Sequence, residues 1–155
     1  MKPNLGLSPK SLGTLHALLN QLLADEYTLY TKTRNYHWHV TGPNFEPLHK
    51  FFEAQYTLLN GFIDEIAERV ITLGGRAAAS HAEFLKLAKL KENFGKLSDR
   101  KMLADLLSDH EALIRDLREG VEVSARLGDA GTSDFLTGLM EQHEKMAWML
   151  RAHID

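Results

Sequence analysis

The chain has 155 residues, a net charge of −3 and no cysteine, with hydrophobic residues at 44% and charged residues at 25%. Those values describe one globular domain with enough chain to bury a core, and they exclude disulfides, iron–sulfur clusters and thiolate metal sites. Any metal must therefore be held by His and carboxylate. No apolar run reaches membrane-spanning length, and the segment Met1–Gly13 lacks an apolar signal region, so a cytoplasmic protein is expected, with nucleoid association open. Lys and Arg are scattered and form no basic stripe of the kind duplex DNA requires.

In chain order, the first element is a helix. Ser8 followed by Pro9 is a start signal, with proline at the first helical position. Leu12, Leu15, Leu19, Leu22, Glu26, Leu29 and Thr33 keep a three-and-four spacing, and the helix is expected to reach about Val40 before Thr41-Gly42-Pro43-Asn44 breaks it. Residues 1–8 ahead of it are expected to form a short flexible tail. A second helix starts near Pro47 and runs to Leu73, where Gly74-Gly75 stops it. The following connection of about two dozen residues is long for a compact domain. Within it Ser80 and Glu83 form a capping-box pattern ahead of Phe84, Leu85 and Leu87, which predicts a short helix. A third long helix is apolar at Leu103, Leu106, Leu107, Leu113, Ile114, Leu117 and Val121 and ends at Gly128. The fourth is expected after Gly131-Thr132-Ser133, with Leu136, Leu139, Met140, Ala147 and Leu150 on its apolar face. Short turns make antiparallel hairpins of helices one and two and of helices three and four. The expected fold over 1–155 is all-α, a ferritin-like four-helix bundle with a long crossover containing a short helix between helices 2 and 3.

His37, His49, Glu53, Asp64 and Glu68 are the candidate metal ligands. On a wheel of about 100° per residue, with His49 at zero, Glu53 falls near ~40°, Asp64 near ~60° and Glu68 near ~100°. Leu48, Phe52, Leu59, Phe62, Ile66 and Val70 gather between ~220° and ~300°, so the ligand stripe runs beside the core face. Along the axis Glu53 and Asp64 lie about 16 Å apart, far more than one metal or a metal pair can span. A second, antiparallel copy of the helix solves this. With a two-fold axis near Leu58 and Leu59, His49 and Glu53 of one chain face Asp64 and Glu68 of the other, and His37 closes the first half-site. Taken singly, the carboxylates suit a solvated acidic face paired with Arg69 better than a ligand role, and the two histidines suit partly exposed side chains without a role; the joint pattern is what points to a metal.

The segment Tyr36-His37-Trp38-His39-Val40-Thr41-Gly42-Pro43-Asn44-Phe45-Glu46-Pro47-Leu48-His49-Lys50-Phe51-Phe52-Glu53 closely resembles the signature of the Dps family, the DNA-binding proteins from starved cells, or miniferritins. So does Asp64-Glu65-Ile66-Ala67-Glu68-Arg69 with Leu73-Gly74-Gly75. The resemblance implies a ferroxidase centre shared between subunits, formed by His37, His49 and Glu53 of one chain and Asp64 and Glu68 of its two-fold mate. It also implies Fe(II) oxidation by hydrogen peroxide, storage of the Fe(III) product as mineral in a hollow dodecamer, and protection against oxidative stress. Glu53 stands where many members carry Asp, and His39 where Asn is common. His39 lies roughly 200° around the helix from His37, so the two cannot easily share a metal. Zinc accepts the same ligands and is a possible competitor.

Several residues carry secondary readings. Trp38 and Tyr36 are candidates for quenching radicals near the site, with aromatic packing as the alternative. The turn from Gly128 to Asp134 resembles the family's acidic three-fold pore, which makes Asp129 and Asp134 pore candidates beside their ordinary use as helix caps. His110, His143 and His16 read as core histidines with hydrogen-bond partners; with Glu26 they could instead build a metal site inside the bundle, although the paired Glu-x-x-His motifs of such centres are missing. Met102, Met140, Met146 and Met149 read as core filler. The alternative function is a DNA-compacting nucleoid protein with incidental metal binding. Lys2 and Lys10 are the only basic residues of the N-terminal tail, however, so weak or absent DNA binding is expected at physiological salt.

Overall fold

The structure is a computed structural model that describes residues 3–154. Four long helices and one short one follow in order: α1 (Pro9–His39), α2 (Phe45–Thr72), α3 (His81–Leu87), α4 (Asp99–Arg126) and α5 (Ala130–Ile154). Ser8 caps α1 by accepting a hydrogen bond from the Ser11 N–H at 3.0 Å, with Pro9 where its missing N–H is no loss. Val40 takes an extended backbone and Gly42 a left-handed one at φ 108°, which ends the helix ahead of Pro43. Gly74, at φ 78°, closes α2 in the same way.

Contacts along the helices fix their directions. Tyr36 meets Asp105 and Lys32 meets Asp109, so α4 runs antiparallel to α1. Arg69 meets Asp129, and Phe51 packs on His153, so α5 runs antiparallel to α2. Asn44 and Asp99 adjoin at one end, which obliges the connection after α2 to travel the length of the bundle. This is the long crossover, and α3 within it docks on α1 by stacking Phe84 on Tyr27 with centroids 4.0 Å apart. The expected ferritin-like four-helix bundle is present. Its core is filled from all four long helices, by Leu19, Leu22 and Leu29, by Phe52, Leu59 and Ile66, by Leu106, Leu113 and Leu117, and by Leu136, Leu139 and Leu150.

Three boundaries and one filler differ from the sequence reading. The fourth long helix begins at Ala130, before Gly131-Thr132-Ser133, because Asp129 caps it: its carboxylate accepts from the Thr132 N–H at 3.0 Å. The second begins at Phe45, two residues ahead of Pro47. Part of the expected flexible tail touches the body, since a Cβ added at Gly74 would come within 2.6 Å of the Pro3 ring; Met1 and Lys2 lie outside the described residues. Met102 and Met146 are buried as expected, whereas Met149 is 39% exposed and does not fill the core. Among the described residues no helix is long and apolar enough to cross a membrane.

Candidate metal centre

His37 and His49 come together where α1 and α2 emerge from their shared turn. Their rings stack with centroids 3.7 Å apart and planes inclined by 21°. Each ring is anchored by the other residue's backbone: His37 Nδ1 lies 2.8 Å from the His49 carbonyl oxygen, and His49 Nδ1 lies 2.8 Å from the His37 carbonyl oxygen. A carbonyl can only accept, so both Nδ1 atoms carry the proton. In the neutral rings both Nε2 atoms are then the lone-pair donors, which is the state a metal-binding imidazole needs. Reciprocal locking also fixes both ring planes before any ion arrives.

The carboxylates stand apart from one another. Glu53, Asp64 and Glu68 are all exposed on the outer face of α2, with the partly exposed Leu58 between the first and the other two. Among the described residues no three His, Asp or Glu side chains of one chain are placed to hold a metal ion together. The structure joins His37 to His49 and leaves Asp64 and Glu68 on a separate stretch of the same helix face. Arg69 does not neutralise that face. Its guanidinium donates to both Asp129 oxygens, at 3.0 and 3.3 Å, and to the Thr132 hydroxyl at 3.0 Å.

The surroundings of the histidine pair differ from the sequence reading in which tyrosine they use. Tyr36 is fully buried and its hydroxyl donates to Asp105 on α4, so it points into the bundle and is not at the site. Burial, and then the Asp105 carboxylate, push its hydroxyl well above the ordinary phenol value. The correction follows from helix geometry, because residues 36 and 37 point about 100° apart. Tyr56 takes the place instead: its ring meets His37 edge-on at 5.2 Å. Arg34 lies over three rings, 5.5 Å from Tyr30, 5.4 Å from Tyr56 and 4.9 Å from Trp38, and donates to the Tyr30 hydroxyl at 2.8 Å. Trp38 is thus tied to the site's edge through Arg34. The signal was available, since Tyr30 and Arg34 precede His37 by seven and three residues and Tyr56 follows His49 by seven, all on one helix face.

The other candidates separate cleanly. His39 is exposed and its Nδ1 donates to the Asn35 carbonyl at 2.8 Å, away from the pair. Asp129 is 7% exposed, and three jobs occupy it: cap of α5, ion pair with Arg69, and acceptor from the Thr132 hydroxyl. Burial raises its pKa, but the hydrogen bonds from Thr132 and the nearby Arg69 outweigh that and hold it below the ordinary carboxylate range. A carboxylate so used is a structural cap, not an open pore ligand; Asp134, one turn on, is exposed. His110 and His143 are fully buried and hydrogen-bonded to each other, and His16 meets the Leu73 carbonyl at 3.1 Å over the Gly74-Gly75 turn.

A family model for the Ferritin-like domain matches residues 16–155. The crystal structure of the Dps protein from Vibrio cholerae O1, described as a member of a broad superfamily of ferritin-like diiron-carboxylate proteins, superposes with a TM-score of 0.94 at 36% identity, covering 100% of this chain and 98% of that one. The chain belongs to the Dps family. An uncharacterized low temperature-induced protein of Nostoc is 51% identical over 98% of this chain and 86% of its own length. DNA protection during starvation protein 2 of Bacillus anthracis is 38% identical over 89% of this chain and 94% of its own. Membership of the Dps family agrees with the bundle and the crossover.

Proposed function

We propose that this Dps-family chain is the subunit of an iron-storing, stress-protective shell that oxidises Fe(II) at a centre shared between two chains. The observation that carries the reading is the locked histidine pair, both Nδ1 atoms tied to carbonyls, with no third ligand placed beside it among the described residues of the chain. His37, His49 and Glu53 form one half-site, and Asp64 and Glu68 of a two-fold mate form the other. The diiron-carboxylate description of the Vibrio relative supports iron as the ion handled. The starvation-protection names of other relatives support a role in stress.

The chemistry suits the residues. Neutral imidazole nitrogen binds Fe(II), and three carboxylates favour the more highly charged Fe(III) that leaves. Two Fe(II) ions give one electron each to hydrogen peroxide, which takes up two protons and departs as two waters, so no hydroxyl radical need form. Glu53, exposed and longer than aspartate by one methylene, can reach toward a partner across the interface. Twelve such chains would build a hollow shell that holds the ferric product. A single helix face carrying Leu58 at 48% exposure between the two half-sites is the natural seat of the two-fold contact.

The test is the rate of peroxide-dependent Fe(II) oxidation in the wild type against His37→Ala/His49→Ala. The expected loss exceeds the ~10–100-fold that removal of a mere supporting partner causes. Unchanged rates would remove the site assignment.

A further inference from the structure

One polar chain crosses the driest part of the bundle, remote from the histidine pair. Glu26 on α1, His143 on α5 and His110 on α4 are each fully buried. Glu26 Oε1 lies 2.8 Å from His143 Nε2, and His143 Nδ1 lies 3.0 Å from His110 Nδ1. At the two ends, Glu26 Oε2 and His110 Nε2 have no hydrogen-bond partner among the described residues.

Proton counting decides what this chain is. Each of the two internal contacts contains one proton. With those two alone, the chain is an ionised carboxylate and two neutral imidazoles, a net negative charge among fully buried side chains. Burying such a charge uncompensated is so unfavourable that the group takes up a proton instead. Among the described residues Glu26 forms no ion pair with a lysine or arginine; its one partner is His143. From α2 the neighbour is the Phe62 ring, 5.5 Å from His143, and the buried Gln55 of that helix is uncharged. Lys32 on α1 is held by Asp105 and Asp109 of α4, Asp25 on α1 is taken by the crossover backbone, and on α5 Glu144 pairs with Arg118. The third proton can sit between Glu26 and His143 in either direction. In both cases His143 Nδ1 donates, His110 Nδ1 accepts, and His110 Nε2 carries hydrogen.

We infer that Glu26, His143 and His110 form a buried proton-holding latch: at neutral pH the chain carries a third proton, marked by hydrogen on His110 Nε2, and this neutral link ties the α1–α2 hairpin to the α4–α5 hairpin through the core. Burial, and then the neighbouring His143, push His110 well below the ordinary imidazole value, in keeping with a neutral ring that accepts at Nδ1. Because His110 titrates lower in the folded chain than in the unfolded one, stability is kept above the ordinary imidazole value of ~6.5 and falls as pH drops below it toward the lower folded value.

Neutron diffraction on the perdeuterated assembly at neutral pD counts the protons directly. Three deuterons on the chain, one of them on His110 Nε2, are expected. A bare His110 Nε2, with only two deuterons on the chain or with the third on Glu26 Oε2, or a metal ion in their place, would overturn the latch.

Discussion

His37 and His49 illustrate how little a residue's chemistry depends on its type alone. Here each Nδ1 proton is committed to the other's carbonyl, so the free nitrogens of both point away from the backbone as ready donors. Asp129 shows the opposite fate, a carboxylate removed from service by its neighbours. Replacing it with Ala takes away the α5 cap and leaves the partly buried Arg69 without its counter-charge. The expected destabilisation is ~1–3 kcal/mol, read from urea denaturation. The pH dependence has a definite sign. Because the folded-state pKa lies below the unfolded one, stability from Asp129 is present above the unfolded carboxylate value of ~3.9 and is lost as pH falls through the lower folded value. The Ala variant should therefore be less sensitive to acid in that window.

Among the elements, the crossover depends most on particular side chains, because it has no hydrophobic stripe of full helical length. Asp25 holds it to α1 by accepting from the Lys89 N–H at 2.7 Å and the Leu90 N–H at 2.8 Å, and Gln21 also bonds to this carboxylate. Asn20 does the same at the earlier end, receiving the Ala78 N–H at 2.7 Å and donating to the Arg76 carbonyl. Burial raises the pKa of Asp25 despite those donors, so its charge is held at some expense. Asp25→Asn keeps an accepting oxygen and should leave the crossover in place. Asp25→Ala strands two backbone donors, with an expected loss of ~1–3 kcal/mol and faster amide exchange at Lys89 and Leu90. Equal exchange in the two variants would show that α3 docking alone retains the segment. Of the capping box predicted from spacing, Ser80 caps α3 by accepting from the Glu83 N–H, while the Glu83 carboxylate accepts from the Ala79 N–H and the Ser80 hydroxyl in place of the Ser80 N–H and draws in Arg76.

At the scale of the molecule, the proposed activity belongs to an assembly, since neither half-site is complete in one chain. Leu58→Glu places a charge at the centre of the proposed two-fold contact without touching a ligand. Light scattering should report loss of the dimer contact, with helical circular dichroism retained and peroxide-dependent Fe(II) oxidation lost with it. A monomer that oxidises iron at the wild-type rate would refute the shared centre. DNA should bind weakly if at all, because a chain of net charge −3 repeated over a shell repels phosphate; a clear gel shift at ~150 mM salt without divalent ions would show otherwise. Four amphipathic helices, their hairpin pairing and the crossover helix were legible in the sequence, because a 3.6-residue period, turn residues and caps are local properties. So was the division of the ligands into two groups, since helical rise alone separates Glu53 from Asp64. Which neighbour each side chain meets was not legible, because that depends on helices distant in the chain. Tyr36 turns to Asp105 while Tyr56 reaches His37, Arg69 leaves the acidic face for Asp129, and Glu26 finds His143 across the bundle. By itself the sequence determined a helical bundle and the separation of its candidate ligands into two groups along α2. Only the tertiary structure decided the tautomer of the two histidines and the existence of a polar chain in the core, because both follow from contacts between separate helices.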